Sequence, residues 1–216
     1  LQITGTSVVD CISSAGTAAT FGGNGALVMD GGRIRFVKLK TAQPELNGTA
    51  KAYSLTGGNV ELYGTSATEN QLLRANDGNS TRISYNNIDI NAAAASTQTG
   101  SSFYNVSPVS SFEFKGNLNV NSPAIFRLDE TESANGIGNT LVNAGSTLLY
   151  GSPDGIKTSG TGTSDGNIRT TGTRTFSTDA SYGFVGNGAM VSGNGLPASC
   201  VNLYTRKTTA ADEITL

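Results

Sequence analysis

The sequence predicts an all-β chain, a parallel β-helix (β-solenoid) of roughly seven coils of about 26–30 residues each. Three observations predict it: a Gly-Gly phrase that returns at a near-constant step, an in–out alternation after each return, and a composition poor in charge. The phrase is clearest in residues 54–64 (Ser-Leu-Thr-Gly-Gly-Asn-Val-Glu-Leu-Tyr-Gly) and recurs in residues 30–36 and 142–151. Weaker copies stand at 85–90, 115–120 and 171–176.

Aligned on the second glycine, the copies give the column Gly32, Gly58, Asn86, Gly116, Gly145 and Gly172, at steps of 26, 28, 30, 29 and 27 by subtraction. Glycine is only 28 of 216 residues, so five in six at one column is not background. Asparagine, the sixth, also enters the left-handed region readily, which predicts a positive φ once per coil.

The next column reads Arg33, Asn59, Asn87, Asn117, Ser146 and Thr173, an expected amide ladder at a corner or in the interior. Then come Ile34, Val60, Ile88, Leu118, Thr147 and Arg174, and two places on Phe36, Leu62, Ile90, Val120, Leu149 and Phe176. Between these apolar columns lies a mostly polar one: Arg35, Glu61, Asp89, Asn119, Leu148 and Thr175. Such alternation marks a short strand with one face buried. A unit this small cannot bury that face alone, but a stack of them can, at about 4.8 Å per coil. Seven coils make a rod of roughly 35 Å. Right-handed crossovers are the default for parallel strands, and three strands per coil suit the step length.

The repeat runs from near residue 20 to near residue 180, so residues 1–216 are read as one solenoid segment. Both ends have strand-like alternation and no capping unit, as expected of a piece of a longer repeat protein. Charged residues are 14% of the chain and the net charge is −2, without a basic patch or a polybasic amphipathic face. Nucleic acid and membrane surfaces are therefore not expected partners. No apolar run approaches the roughly 20 residues of a transmembrane helix, and no signal peptide is visible. Cys11 and Cys200 fall coils apart, too far for a disulfide, and are expected as unpaired, mostly buried thiols.

Polar stretches at 44–51, 69–82, 92–100 and 129–139 read as loops off the rod, and the Thr/Ser/Gly-rich residues 157–175 as a loosely packed coil or mobile loop. The form Phe-x-Gly-Asn-Gly-Ala-x-Val occurs at 21–28 and again at 184–191.

Residues 174–203 carry a more particular phrase: Thr175-Phe176, Ala180, Tyr182, Phe184, Gly186 and Gly188, then Gly195-Leu196-Pro197-Ala198 and Asn202-Leu203. This resembles the repeat modules of very large secreted surface proteins of Bacteroidota, long β-solenoid adhesins exported by type IX secretion, some of which serve gliding motility and attachment. The close likeness covers those thirty residues, and the looser Gly-Gly-x-φ-x-φ repeat (φ apolar) most of the remainder. It implies an extracellular, surface-held protein and supplies no catalytic residues.

The residues themselves offer little chemistry. With no histidine, Ser-His-Asp and Cys-His catalysis are excluded, as are most zinc sites. In the outward column, Arg35, Glu61 and Asp89 should stand on adjacent coils and form the candidate ligand-binding face. Glu61 and Asp89 would lie about 5 Å apart, near the spacing of a retaining glycosidase pair, although an ion-paired solvated face explains the same residues. Asp129, Glu130 and Glu132 on one loop, and Asp77 in an Asn-Asp-Gly-Asn turn, are oxygen-rich enough to suggest Ca²⁺ without matching a calcium-loop motif. No other cofactor is expected. Thr-x-Thr pairs such as Thr161 and Thr163 do not recur on every coil, as an ice-binding array would need.

The expectation is a non-enzymatic structural and adhesive segment, a stiff spacer that presents loops for attachment. Its expected partners are further repeats of the same parent chain and surface glycans or abiotic surfaces. The alternative from another class is a polysaccharide-active β-helix, lyase or hydrolase, or a carbohydrate-binding one.

Overall fold

A computed structural model describes residues 1–11, 25–36, 52–64, 71–76, 80–91, 96, 103–205 and 213–216. Every regular element among them is a strand, and every strand pairing is parallel. The protein is a parallel β-helix with three faces. One isolated antiparallel bridge, Asn76 to Arg82, interrupts the pattern.

The first face is a sheet of seven strands: Val8–Cys11, Arg33–Phe36, Asn59–Leu62, Asn87–Ile90, Asn117–Val120, Asn139–Val142 and Arg174–Phe176. The second has six: Gln71–Leu73, Val106–Pro108, Ile125–Leu128, Thr147–Tyr150, Ser181–Phe184 and Leu203–Thr205. The third precedes the first face in each coil. It comprises Gln2–Ile3, Ala26–Met29 and Ala52–Leu55, then Ser84–Tyr85, Phe112–Phe114, Ala134–Gly136 and Ile168–Thr170. A two-stranded pair, Met190–Val191 with Ile214–Thr215, lies near the far end. Met190–Val191 are the last two residues of the second copy of the Phe-x-Gly-Asn-Gly-Ala-x-Val phrase.

The register confirms four consecutive copies of the phrase and corrects the fifth. Asn59 pairs Asn87 and Asn117 pairs Asn139, so Gly138 and not Gly145 continues the glycine column. Residues 147–150 belong to the second face, where Thr147 pairs Ile125. The true column is Gly32, Gly58, Asn86, Gly116, Gly138 and Gly172, with steps of 26, 28, 30, 22 and 34. A short coil followed by a long one had averaged to two ordinary ones. The outward column accordingly reads Leu141, not Leu148, after Asn119.

Stacked side chains fill the interior. Ile34, Val60, Ile88 and Leu118 form one column, and Phe36, Leu62, Ile90, Val120 and Val142 the next, all essentially inaccessible. From the other faces Tyr85, Phe112, Phe114, Phe126, Tyr150, Tyr182 and Phe184 complete the cluster. Each aliphatic or Phe side chain among them contributes about 1.5–3 kcal/mol when removed from water. The first column ends in polar residues, Thr140 and then Arg174. The Arg174 guanidinium donates to the carbonyls of Lys157, Gly160 and Thr170, so it ties residues 157–170 to the stack. Burial lowers its pKa, with Asp165 opposing.

Several stretches expected as loops are therefore built in. Gln71–Leu73 and Ala134–Gly136 are three-residue strands of the second and third faces, too short for their alternation to stand out. Residues 157–175 hold two strands and the buried Asn167, Thr170 and Arg174. The loops expected at 44–51 and, except for Ser96, at 92–100 lie outside the described residues. Cys11 and Cys200 form no disulfide with each other and are only half-buried, where mostly buried thiols were expected.

The glycine column has two causes. Gly32 and Gly58 take φ of 68° and 72°, the conformation expected at each coil. At Asn86, Gly116, Gly138 and Gly172 φ is not positive, contrary to the expectation of one left-handed residue per coil, and at the three glycines the reason is close approach. A Cβ at Gly116 would strike the Asn87 side-chain oxygen, and one at Gly138 or Gly172 a carbonyl of the coil below.

Candidate functional site

The outward positions of the first face bring the candidate residues together. Arg35 pairs Glu61, and Glu61 pairs Asp89, on successive strands in exact-coil register. The Arg35 Nε donates to Glu61 Oε2 at 3.0 Å, and its other end reaches Asp10 at 3.3 Å. Arg33, from the amide column, donates to the same Glu61 oxygen at 3.1 Å and lies 3.8 Å from Asp89. The Arg35 guanidinium also lies over the Tyr63 ring, 4.1 Å from its centre. Burial raises the Tyr63 pKa, and the Arg35 charge works against it.

Asparagines occupy the remaining carboxylate oxygens. Asn91 donates to Glu61 Oε1 at 2.8 Å, Asn119 to Asp89 Oδ1 at 2.7 Å, and Asn59 to Asp89 Oδ2. Although they point outward, Glu61 and Asp89 are only 5% and 9% exposed. All four of their oxygens accept at least one hydrogen bond. Two buried carboxylates compensated by two arginines and three amides hold coils together, because each bond crosses from one coil to the next. A glycosidase pair needs one carboxyl free to protonate a leaving group. Neither carboxylate here presents such an oxygen. The groups that still reach outward are Arg33, Asp10 and Arg35, whose side chains are 43%, 39% and 31% exposed.

Two amide ladders flank this cluster. At the strand starts, Asn87 Oδ1 accepts the backbone N–H of Asn117, Asn139 Nδ2 donates to Asn117 Oδ1, and Asn139 Oδ1 accepts the Thr173 N–H. This is the expected ladder, with Asn139 in place of Ser146. At the strand ends a second ladder runs from Asn143 to Asn121 at 2.7 Å, from Asn121 to Asn91 at 2.6 Å, and on to Glu61. Sequence reading missed this ladder, as it missed Arg33 and Asp10. The signal was present: an asparagine follows the last apolar residue at Ile90, Val120 and Val142.

The calcium candidates among the described residues do not converge. Asp129 Oδ1 accepts from Arg127 Nε, while Glu132 Oε2 accepts the Asp129 backbone N–H at 2.7 Å. Glu130 is exposed at the turn, and Asp77 lies outside the described residues. Among the described residues no three acidic, Cys or His side chains gather as a metal site.

Fold and site together define a parallel β-helix whose charged face is internally compensated. Compared with family models, with curated proteins and with solved structures, the chain matches none of them.

Proposed function

We propose that this chain is a non-enzymatic structural and adhesive segment of a large extracellular bacterial surface protein. It acts as a stiff spacer that presents its faces and loops for attachment. One observation carries the reading: the Arg33–Arg35–Glu61–Asp89 cluster spends its charge on bonds between successive coils. Ladder bonds, amide ladders and a continuous apolar interior all run along one axis, which makes the rod resist bending. The likeness of residues 174–203 to Bacteroidota surface repeats supports a cell-surface location, type IX export and a link to gliding motility. In that setting the partners are further repeats of the same parent chain, and surface glycans or abiotic surfaces. No cofactor is needed for such work, and calcium is best tested directly.

The test is a glycan panel probed with the purified segment, with Ca²⁺ and with chelator, scoring both retention and cleavage products. Retention without cleavage, insensitive to chelator, is the expected result. Cleavage that disappears in Glu61→Gln would overturn the reading in favour of a polysaccharide-active β-helix.

A further inference from the structure

We infer that a groove on the outer side of the second face binds an unbranched, neutral oligosaccharide laid along the rod axis. The inference names the ligand class for the adhesive reading above and rests on it. The floor is built by register: Ile125 pairs Thr147, and Thr147 pairs Ser181, one residue from each of three successive coils. Pro123, Gly145 and Asp179, at the corners entering those strands, form one wall. Phe103 and Tyr204 form the other, their rings edge-to-face at 5.4 Å. The space between measures about 270 Å³.

Its chemistry selects the ligand. Among the described residues no Lys or Arg lines the groove, so none of them compensates a uronate, sulfate or phosphate group. Asp179 supplies an exposed carboxylate with no partner among the described residues, which would repel anionic chains and accept from paired sugar hydroxyls. The Thr147 hydroxyl likewise has no hydrogen-bond partner among the described residues. The Ser181 hydroxyl accepts from Asn202 at 3.3 Å and keeps its own proton to donate. The Thr147 and Ser181 hydroxyls thus stand one coil step of about 4.8 Å apart, close to the advance of one ring in an extended sugar chain, and Ile125 continues the floor as apolar surface. The aromatic wall offers apolar surface to the C–H faces of those rings.

An extended peptide is the weaker fit, because peptides recognised by sheets add to free backbone groups. Here the floor's backbone is committed: the N–H groups of Ile125, Thr147 and Ser181 donate to the Asn105 side-chain oxygen and to the carbonyls of Ala124 and Ser146.

Titration of the segment with cellohexaose, xylohexaose, mannohexaose and hexa-N-acetylchitohexaose, followed by NMR shifts and calorimetry, tests the proposal. At least one should bind and perturb Thr147, Ser181 and Tyr204. Tyr204→Ala should weaken it about tenfold or more, and the near-isosteric Thr147→Val by about threefold to tenfold, as for one lost neutral hydrogen bond. Thr147→Val decides alone where Tyr204→Ala fails to fold. Binding unchanged in Thr147→Val overturns the groove while leaving the adhesive reading standing. Binding only of a polyuronate or a peptide, or of none of the four hexaoses, also overturns it. The adhesive reading is then judged on retention and cleavage across the wider panel.

Discussion

Glu132 and Asn167 hold one turn from opposite sides, and each makes a prediction at the scale of a single residue. Burial pushes the Glu132 carboxyl up to about 7, an effect opposed by its bond from the Asp129 N–H, reinforced by the Asp129 charge and reduced by Arg127. The folded chain therefore holds this proton at pH values where the unfolded chain, with an ordinary value near 4.5, has released it. Stability from this residue is fully present below about pH 4.5, falls as pH rises to about 7 and is flat beyond, a loss on the order of 2–3 kcal/mol. Glu132→Gln keeps the acceptor for Asp129 and removes the titration. Urea midpoints from about pH 4 to about pH 8 should slope downward in the parent and lose that component in the variant. Asn167 is 3% exposed. It donates to the carbonyls of Asp129 and Glu132 and accepts the N–H groups of Gly151 and Ser152. Asn167→Ala strands those groups and should cost about 2–4 kcal/mol by denaturant unfolding.

At the scale of the strand, the first face was legible in the sequence and the other two were not. Four-residue strands such as Asn59–Leu62 and Asn87–Ile90 begin at a glycine or asparagine corner and alternate, so their columns stand out of a glycine-rich background. Gln71–Leu73 and Ala134–Gly136 have three residues and no distinctive corner, and alternation over three positions carries no signal. Residues 143–150 misled for the opposite reason: they too form a turn and an alternating strand, but on the second face. The adjacency of Arg35, Glu61 and Asp89 followed from the register. Their burial did not, because it depends on Arg33, Asn91 and Asn119 closing over them, and column order alone does not fix where long side chains fold. The corrected register makes its own prediction at Gly138. A Cβ there would meet the Gly116 carbonyl and the Phe114 ring, neither of which can yield without shifting a coil. Gly138→Ala should destabilise by about 1–3 kcal/mol, read as a lower urea midpoint with little change in slope.

For the whole molecule, stability is a sum over coils and the contacts between them, so the position of a defect along the axis decides how far it spreads. Leu118 lies on a middle strand, paired to Ile88 below and Thr140 above, with its side chain fully buried. Ile3 is almost as buried, at 1% exposed, but its strand pairs on one side with Met29 and has no second strand partner among the described residues. Area burial alone would price Leu118→Ala and Ile3→Ala alike. In a stack, the middle cavity weakens two interfaces and divides the rod, whereas the outer one loosens one. Leu118→Ala should therefore cost about 2–5 kcal/mol and lower hydrogen-exchange protection across the neighbouring coils, Asn87–Ile90 and Asn139–Val142 included. Ile3→Ala should cost less and expose chiefly Gln2–Ile3 and Ala26–Met29, leaving the central coils protected. Uniform loss of protection in both variants would mean that the rod melts as one cooperative block, and that its stiffness resides in the whole stack and not in the contact between each coil and the next.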